Sequence, residues 1–152
     1  MAPIRPTPRH ADYIWQNGEF VPWDNATVHL SAMGASAGVA VFEGIKGYWN
    51  PETETINIIR LDHHLQRLAQ SMRMMRMQSE FDVSALAEAT IELCRENRLQ
   101  ADTYLRPVVY YSGAEHGSFG DTVGDVADVI ISTKPFTTIL GTHRGYSAKV
   151  SS

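Results

Sequence analysis

The sequence predicts an α+β fold in which two helices pack on a mixed or antiparallel sheet. Short runs of β-branched and aromatic residues lie toward both ends of the chain. Two stretches with the apolar spacing of amphipathic helices lie between those runs. Strands and helices that are segregated in this way favour an α+β domain over an alternating, doubly wound one.

The first strands are expected around a tight turn. Asn17-Gly18 separates two short β-prone runs, and both residues tolerate the positive φ angles that a two-residue hairpin requires. Four longer strands and a short final one are predicted from composition over residues 39–49, 55–61, 103–111, 126–133 and 148–150. The segment 126–133 has the continuous apolar character of a buried strand.

The two helices are predicted from apolar residues spaced three and four apart. Asp62 is the predicted N-cap of the first helix and Asp82 that of the second. The first apolar stripe consists of Leu65, Leu68, Ala69, Met72 and Met75, and the second of Leu86, Ala89, Thr90, Leu93 and Cys94. Methionines at this spacing indicate core packing rather than a metal site.

Composition limits the class of protein. The 152 residues are 43% hydrophobic and 20% charged, which is typical of one globular domain. The net charge of -4 argues against a nucleic-acid-binding surface. One cysteine cannot form an intrachain disulfide, which favours a reducing compartment. With neither a secretory leader nor a membrane-length apolar run, we expect a cytoplasmic protein with no membrane partner.

Two motifs invite an enzymatic interpretation. Gly34-Ala35-Ser36-Ala37-Gly38 matches the nucleophile elbow of serine hydrolases. That elbow needs a strand before the serine and a helix after it, whereas a strand is predicted after Ser36 here. A tight turn is therefore favoured, and a hydrolase using Ser36 is the minor alternative. The glycine-rich segment 113–120 lacks the Gly-Lys-Ser/Thr ending of a phosphate-binding loop and is predicted to be a loop.

Histidines and arginines are the remaining candidates. His63 and His64 are adjacent and do not share a helix face, and no other ligand pattern is present, so no metal site is predicted. Arg60 lies at the end of one β-prone run, and Arg106 lies inside another. An arginine in an apolar strand needs a partner because its charge cannot be removed. From spacing alone, a buried salt bridge and an anionic ligand explain them equally well.

Several fragments in a shared order resemble branched-chain amino acid aminotransferases, which are class IV (fold type IV) enzymes that use pyridoxal 5'-phosphate. The most recognisable fragment is Val41-Phe42-Glu43-Gly44-Ile45, followed by Tyr48. The other matching fragments are Tyr13-Ile14-Trp15, Asn17-Gly18-Glu19, Val21-Pro22-Trp23, Val28-His29, Arg60-Leu61, His64-Leu65, Arg67-Leu68 and Tyr104 with Arg106-Pro107. The resemblance covers the chain from about Ala11 onward.

This resemblance implies transamination between an amino acid, expected to be branched-chain, and 2-oxoglutarate. It implies a homodimer of two-domain subunits, in which this chain forms the small N-terminal α+β domain and the cofactor lies between the domains. Arg60 matches the residue that binds the cofactor phosphate. The positions that match Phe42, Tyr104 and Arg106 line the substrate pocket, and the last of them engages a substrate carboxylate.

Two positions depart from the usual pattern of that family. Ala37 stands where the family usually has a tyrosine, and Lys46 stands in the substrate-binding motif where it usually has an arginine. Lysine is a poorer two-pronged partner than arginine, so recognition of the side chain is expected to differ. A D-amino acid or amine transaminase, or a lyase of the same family, stays open as an alternative.

The chemistry of the family requires a lysine that forms a Schiff base with the cofactor. The lysines of this chain are Lys46, Lys134 and Lys149, and none of them matches that position. The resemblance therefore places the catalytic lysine beyond Ser152 and implies that this chain alone is inactive.

The expected organisation has three parts. Residues 1–10 form a flexible arm, 11–136 form the small domain, and 137–152 form a linker with the first strand of a truncated large domain. The competing hypothesis is a non-catalytic association module derived from the small domain.

Overall fold

An antiparallel sheet with the two long helices on one face forms the part of the chain that the structure describes. The computed structural model describes residues 10–112, 127–136 and 147–150. The strands are β1 (Tyr13–Gln16), β2 (Glu19–Pro22), β3 (Ala40–Phe42), β4 (Ile45–Asn50), β5 (Thr55–Ile58), β6 (Thr103–Tyr110) and β7 (Asp128–Pro135). The helices are α1 (Met33–Ser36), α2 (Leu61–Met74) and α3 (Val83–Glu96), with a 3-10 turn at Trp23–Asn25.

Within the described residues the strands form one sheet in the order β2-β1-β7-β6-β4-β5, and β3 also pairs with β6. All pairings are antiparallel, so the predicted α+β class is confirmed and the sheet is not mixed. The central pair β6–β7 is aligned over its whole length, from Thr103 opposite Pro135 to Tyr110 opposite Asp128.

Alternation along β6 separates the two faces of the sheet. Thr103, Leu105, Pro107 and Val109 are buried, and the residues between them, Tyr104, Arg106 and Val108, are more exposed. Because successive side chains of a strand point to opposite faces, the first set faces the helices and the second faces away from them. We call the second surface the open face; it is formed by the outward residues of β3, β4, β6 and β7.

The helix-covered face holds the core. The buried members of the predicted stripes are Leu65, Leu68 and Met72 of α2 and Leu86, Ala89, Thr90, Leu93 and Cys94 of α3. Ala69 of the first stripe is half-buried. Met75 of the predicted first stripe is exposed, because it follows the last residue of α2. Trp15 joins this cluster and meets the Phe81 ring edge to face, with the ring centroids 4.9 Å apart.

The first hairpin turns at Asn17-Gly18 as predicted, with φ angles of 47° and 96°. Asn17 also extends the sheet beyond its own hairpin. Its side-chain oxygen accepts the Val129 N–H at 2.8 Å, and its own N–H donates to the Val129 carbonyl at 3.0 Å. The turn residue therefore joins β1 to β7.

One of the two predicted helix starts is wrong. The Asp82 side chain accepts from the Ala85 N–H at 2.8 Å, so it caps α3 as predicted. Asp62, however, lies inside the first turn of α2. The cap position is Arg60, in a left-handed conformation (φ 47°, ψ 43°) and without a side-chain cap. The left-handed residue ends the strand and starts the helix two residues earlier than the aspartate rule predicts.

The predicted strand over residues 39–49 is interrupted between β3 and β4, although both parts keep the same register against β6. Continuing that register places Glu43 opposite Pro107. The Glu43 N–H donates to the Pro107 carbonyl at 3.1 Å, but proline has no N–H to return the second bond of the pair. The missing donor explains the interruption.

Other strand predictions differ at their ends. β5 ends at Ile58 rather than at residue 61, since Arg60 already turns the chain toward α2. The four described residues of the tail, 147–150, form no strand, so the strand predicted at 148–150 is wrong for them. The loop predicted at 113–120 and all of the predicted arm except its last residue lie outside the described residues.

Candidate functional site

The open face carries the sequence-predicted substrate residues together. Phe42 is 54% exposed on β3, Lys46 lies on β4 opposite Tyr104 of β6, and Arg106 lies two residues further along β6. The strand register therefore brings all four positions, which are far apart in the sequence, onto one surface. Of the two explanations left open for Arg106, the buried salt bridge is excluded because the residue is exposed on this face, and the anionic ligand stays a prediction.

Three cations of the open face lie over aromatic rings. The Arg106 guanidinium carbon is 4.4 Å from the centroid of the Phe42 ring. The Lys46 ammonium is 4.5 Å from the ring of Phe136, and that of Lys134 is 5.3 Å from the ring of Tyr104. Such contacts contribute about 0.5–1 kcal/mol each at exposed positions. The surface is therefore both apolar and positively charged, which suits a small molecule that has a carboxylate and an apolar body.

Gly44 lets Tyr104 lie close to the corner between β3 and β4. A Cβ added at Gly44 would lie 2.5 Å from the Tyr104 hydroxyl and 3.1 Å from two carbons of its ring. No side chain can approach that closely without displacement of the tyrosine. Packing against Tyr104 on the neighbouring strand therefore requires a glycine at position 44 of the Phe-Glu-Gly motif.

Arg60 lies at the corner between β5 and α2, exposed and beside the open end of the helix. The N–H of the preceding Ile59 donates to the Lys46 carbonyl at 2.9 Å. Continuing this register places Arg60 two strands away from β6, roughly 10 Å in the sheet plane. No contact joins Arg60 to Arg106 among the described residues: Arg60 borders a groove on the helix side of the sheet, whereas Arg106 lies on the open face.

Arg60 also borders a groove of about 880 Å³ between β5 and α3. Ile56 and Ile58 of β5 line one side of this groove, and Arg95 and Arg98 line the other. The cap position of α2 has no side-chain hydrogen bond, and the free amides of a helix N-terminus favour an anion. A guanidinium beside such a terminus fits a phosphate group.

A buried carboxylate lies directly behind the predicted substrate residues. Glu43 is 6% exposed and accepts from Arg67 Nε at 2.5 Å and Nη2 at 2.6 Å. His64 Nδ1 lies 3.0 Å from Oε2, the oxygen that also accepts from Arg67 Nη2. The Arg67 hydrogen bonds hold the pKa of Glu43 below its ordinary value, against a raising effect of burial. The same pairing raises the pKa of Arg67.

Sequence reasoning missed this cluster. It weighed His64 only as a metal ligand and as part of a family fragment, and Arg67 only as part of such a fragment. Residues 64 and 67 are three apart and share a helix face, which is the one signal available. Nothing local indicates that the acidic member comes from a turn more than twenty residues earlier.

The segment around Ser36 has the wrong geometry for a nucleophile elbow. The serine ends α1 and precedes β3, which reverses the strand-serine-helix order that the elbow needs. Its hydroxyl donates to the Ala32 carbonyl at 2.9 Å. Gly38 has a φ of +69°, in agreement with the predicted glycine-permitted turn, and Ala37 is exposed beside it.

The described part of the chain offers little support for a nucleophilic thiol, a metal site or a membrane-spanning helix. Burial raises the pKa of the Cys94 thiol to about 11, so the nucleophilic thiolate is disfavoured there. No cluster of three or more histidine, cysteine or acidic side chains occurs among the described residues. None of the helices in those residues is both long and apolar enough to cross a bilayer.

Comparison with known proteins places this arrangement in a family. The model of the amino-transferase class IV family matches residues 40–151. The chain is 35% identical over 149 residues to the branched-chain-amino-acid aminotransferase of Salmonella typhimurium, which covers 96% of this chain and 47% of that protein. This chain therefore belongs to the class IV aminotransferases.

Solved structures agree with the sequence relatives. The branched-chain aminotransferase of Thermoproteus uzoniensis, solved with norvaline, superposes with a TM-score of 0.79 at 32% identity over 86% of this chain and 43% of that one. The enzyme of Thermobaculum terrenum, solved in its PLP form, gives 0.76 at 39% identity over 88% and 43%. The chain spans less than half the length of the curated relatives it matches, and it corresponds to their N-terminal part.

Proposed function

We propose that this chain is the N-terminal portion of a pyridoxal-phosphate-dependent transaminase that exchanges an amino group between a branched-chain amino acid and 2-oxoglutarate. The observation that carries the proposal is the open face, where Arg106 lies over the Phe42 ring beside Tyr104 and Lys46. An aromatic surface suits a branched aliphatic side chain, and a guanidinium suits the second carboxylate of 2-oxoglutarate.

The residues present fit the cofactor at its phosphate end. Arg60 and the uncapped N-terminus of α2 would hold the phosphate. When bound, pyridoxal phosphate supplies the electron sink for amino transfer. The lysine that binds it covalently would come from a segment beyond Ser152, so this chain by itself would be inactive.

Three further features of the whole enzyme belong to this proposal. The enzyme is a homodimer, it acts in the cytoplasm, and its second domain covers the open face. The exposed aromatic side chains Phe42 and Tyr48 support a covered open face, because apolar surface of this kind usually meets a partner. Lys46 and Ala37 would set the preference among amino donors.

A chimaera tests the activity. Residues 1–152 are joined to the C-terminal part of the Escherichia coli branched-chain-amino-acid aminotransferase, a relative 34% identical to this chain. We expect transfer of amino groups from leucine, isoleucine and valine to 2-oxoglutarate, measured as glutamate formed. Arg106→Gln should lower kcat/KM for 2-oxoglutarate by roughly 10²-fold, because the carboxylate loses its charged partner, and Arg106→Lys should lower it less.

The outcomes separate the candidates. A chimaera that binds the cofactor but transfers amino groups only from D-amino acids or simple amines would replace the branched-chain assignment with another class IV activity. A chimaera that binds the cofactor and transfers none would contradict transamination and favour the association module.

The position of the catalytic lysine has its own test. Pyridoxal phosphate is added to this chain, the adduct is reduced with borohydride, and labelled peptides are mapped. We expect Lys46, Lys134 and Lys149 to be labelled no more than free lysine. Selective, stoichiometric labelling of any one of them would show that the catalytic lysine lies in this chain.

A further inference from the structure

Glu43 differs from its two neighbours in the direction of its side chain. Phe42 is largely exposed on the open face, and Gly44 lies against the Tyr104 hydroxyl. The Glu43 side chain between them is 7% exposed and reaches α2 on the other side of the sheet. It is one of four buried polar or charged residues among the described ones, and the others are threonines.

Both oxygens of this carboxylate are held from α2. Arg67 approaches through Nε and Nη2, one to each oxygen, which is the two-pronged geometry that fixes a carboxylate in orientation as well as distance. His64 Nδ1 adds a contact of 3.0 Å to Oε2. Arg67 itself is 64% exposed, so the fork closes over the carboxylate from the solvent side.

The cluster links the two ends of the proposed site. The His64 N–H donates to the Arg60 carbonyl at 3.1 Å. The first turn of α2 therefore connects Arg60, the proposed phosphate-binding residue, to His64, which contacts the Glu43 carboxylate. The Glu43 N–H donates to the Pro107 carbonyl at 3.1 Å, next to Arg106. Glu43 is therefore attached to β6, beside Arg106, through its backbone and to the first turns of α2, next to Arg60, through its side chain.

The corner needs such an attachment. Since Pro107 cannot donate, the pairing between β6 and the chain at Glu43 keeps one hydrogen bond where two would form. The neighbouring Phe42 is more than half exposed and supports Arg106 only through the face of its ring. The β3–β6 pairing, which ends at Phe42, and the Glu43 carboxylate next to it together hold the Phe42 ring beneath the guanidinium.

We propose that Glu43 is a positioning residue whose carboxylate, clamped by Arg67 and His64, sets the geometry of Phe42 and Arg106 relative to the Arg60 corner. Its effect on turnover rests on the proposed transaminase function, whereas its effect on the geometry of the open face does not. A merely structural role would lower stability and leave the open face of the folded protein unchanged.

The first experiment measures geometry in this chain by NMR. The Phe42 ring current shifts the side-chain protons of Arg106, and the Gly44 amide reports the corner. We expect Glu43→Gln and Arg67→Gln to move the Arg106 signals toward their random-coil positions, and Arg67→Lys to restore part of the shift. Arg73→Gln, at an exposed position near the end of the same helix, is the control and should leave both signals in place.

Both variants are first checked for folding, because Arg67→Gln leaves the buried carboxylate with only His64 beside it. If both variants are folded and the Arg106 and Gly44 signals match those of the unsubstituted chain, the proposal is wrong.

The second experiment measures turnover in the chimaera. We expect kcat/KM to fall about 10- to 100-fold in Glu43→Gln and Arg67→Gln, because small misplacements of binding groups slow turnover by such factors. Arg67→Lys should keep a higher kcat/KM than Arg67→Gln. Displaced NMR signals with an inactive unsubstituted chimaera would contradict the proposed function and support the positioning role. An active chimaera whose Glu43→Gln form keeps full kcat/KM would overturn the positioning role and leave the function standing.

Discussion

At the scale of single residues, the candidate site depends on close contacts made across strands. Tyr104 occupies space that is open only because residue 44 has no side chain. Phe42 supports Arg106, and the Glu43 between them binds the helix behind the sheet. Three consecutive residues of one motif thus perform three different tasks, because successive positions of an extended chain face in opposite directions.

Gly44→Ala should displace Tyr104 from the corner. The added methyl group would lie 2.5 Å from the hydroxyl, so the ring must move, at a cost of about 1–3 kcal/mol of stability. Chemical denaturation measures the loss, and the Tyr104 ring signals report the movement. Because Tyr104→Phe removes the nearest atom, the double variant should recover part of the loss; equal stability of Gly44→Ala and the unsubstituted chain would contradict the contact.

Glu43 should make stability depend on acid pH. Its folded-state pKa lies below the ordinary value of 4.5, so the carboxylate contributes stability above pH 4.5 that is lost as pH falls through the folded-state pKa. Glu43→Gln lacks this contribution. In thermal unfolding between neutral pH and about pH 3, Glu43→Gln should therefore lose less stability than the unsubstituted chain. Glu88→Gln, on the exposed side of α3, is the matched control and should retain the full acid sensitivity.

At the scale of elements, helix ends and strand breaks decide where the functional side chains lie. α2 begins after a left-handed Arg60, without a side-chain cap, which leaves its positive end free for an anion. α3 begins with an ordinary aspartate cap. The break between β3 and β4 follows from a proline on the neighbouring strand. Of these three boundaries, the two near the site are therefore unusual, and the start of α3, away from it, is conventional.

The two aspartates near helix starts should differ in their effect on stability. Asp82→Ala removes the side-chain bond to the Ala85 amide and should cost about 1 kcal/mol. Asp62→Ala removes only a charge in the first turn and should cost roughly 0.3 kcal/mol. Thermal or urea unfolding of the two variants provides the comparison. An equal or greater loss for Asp62→Ala would mean that Asp62, rather than Arg60, occupies the cap position.

At the scale of the whole molecule, the described residues form a sheet whose one face is covered by the two long helices. The helices α2 and α3 pack on the strands around one core cluster, while the opposite face presents Phe42, Tyr48 and three cation–aromatic contacts. A domain that buries one face and exposes aromatic residues on the other is suited to meet another body. This exposed aromatic face agrees with the finding that the chain covers less than half the length of its relatives.

Hydrogen exchange should divide the sheet into a stable centre and labile edges. Leu105 and Val109 of β6 and Val129 and Ile131 of β7 are fully buried in the centre of the sheet, so their amides should open only with global unfolding. The edge strands β2 and β5 should exchange faster through local opening. Exchange measured by NMR decides this, and equal protection of β2 and β6 would be inconsistent with the observed strand order.

Local patterns by themselves determined the class of fold, the Asn17-Gly18 turn, the two buried helix stripes and the Asp82 cap, because each depends on residues within a few positions of one another. The family resemblance also predicted Phe42, Lys46, Tyr104 and Arg106 as substrate residues, and the strand register places these four on one surface. Only the tertiary structure decided that Arg106 is exposed rather than buried and that Pro107 interrupts the neighbouring strand. It also decided that Glu43 binds Arg67 and His64. These features depend on strand register and on contacts across more than twenty residues, and no local periodicity encodes which distant residues will meet.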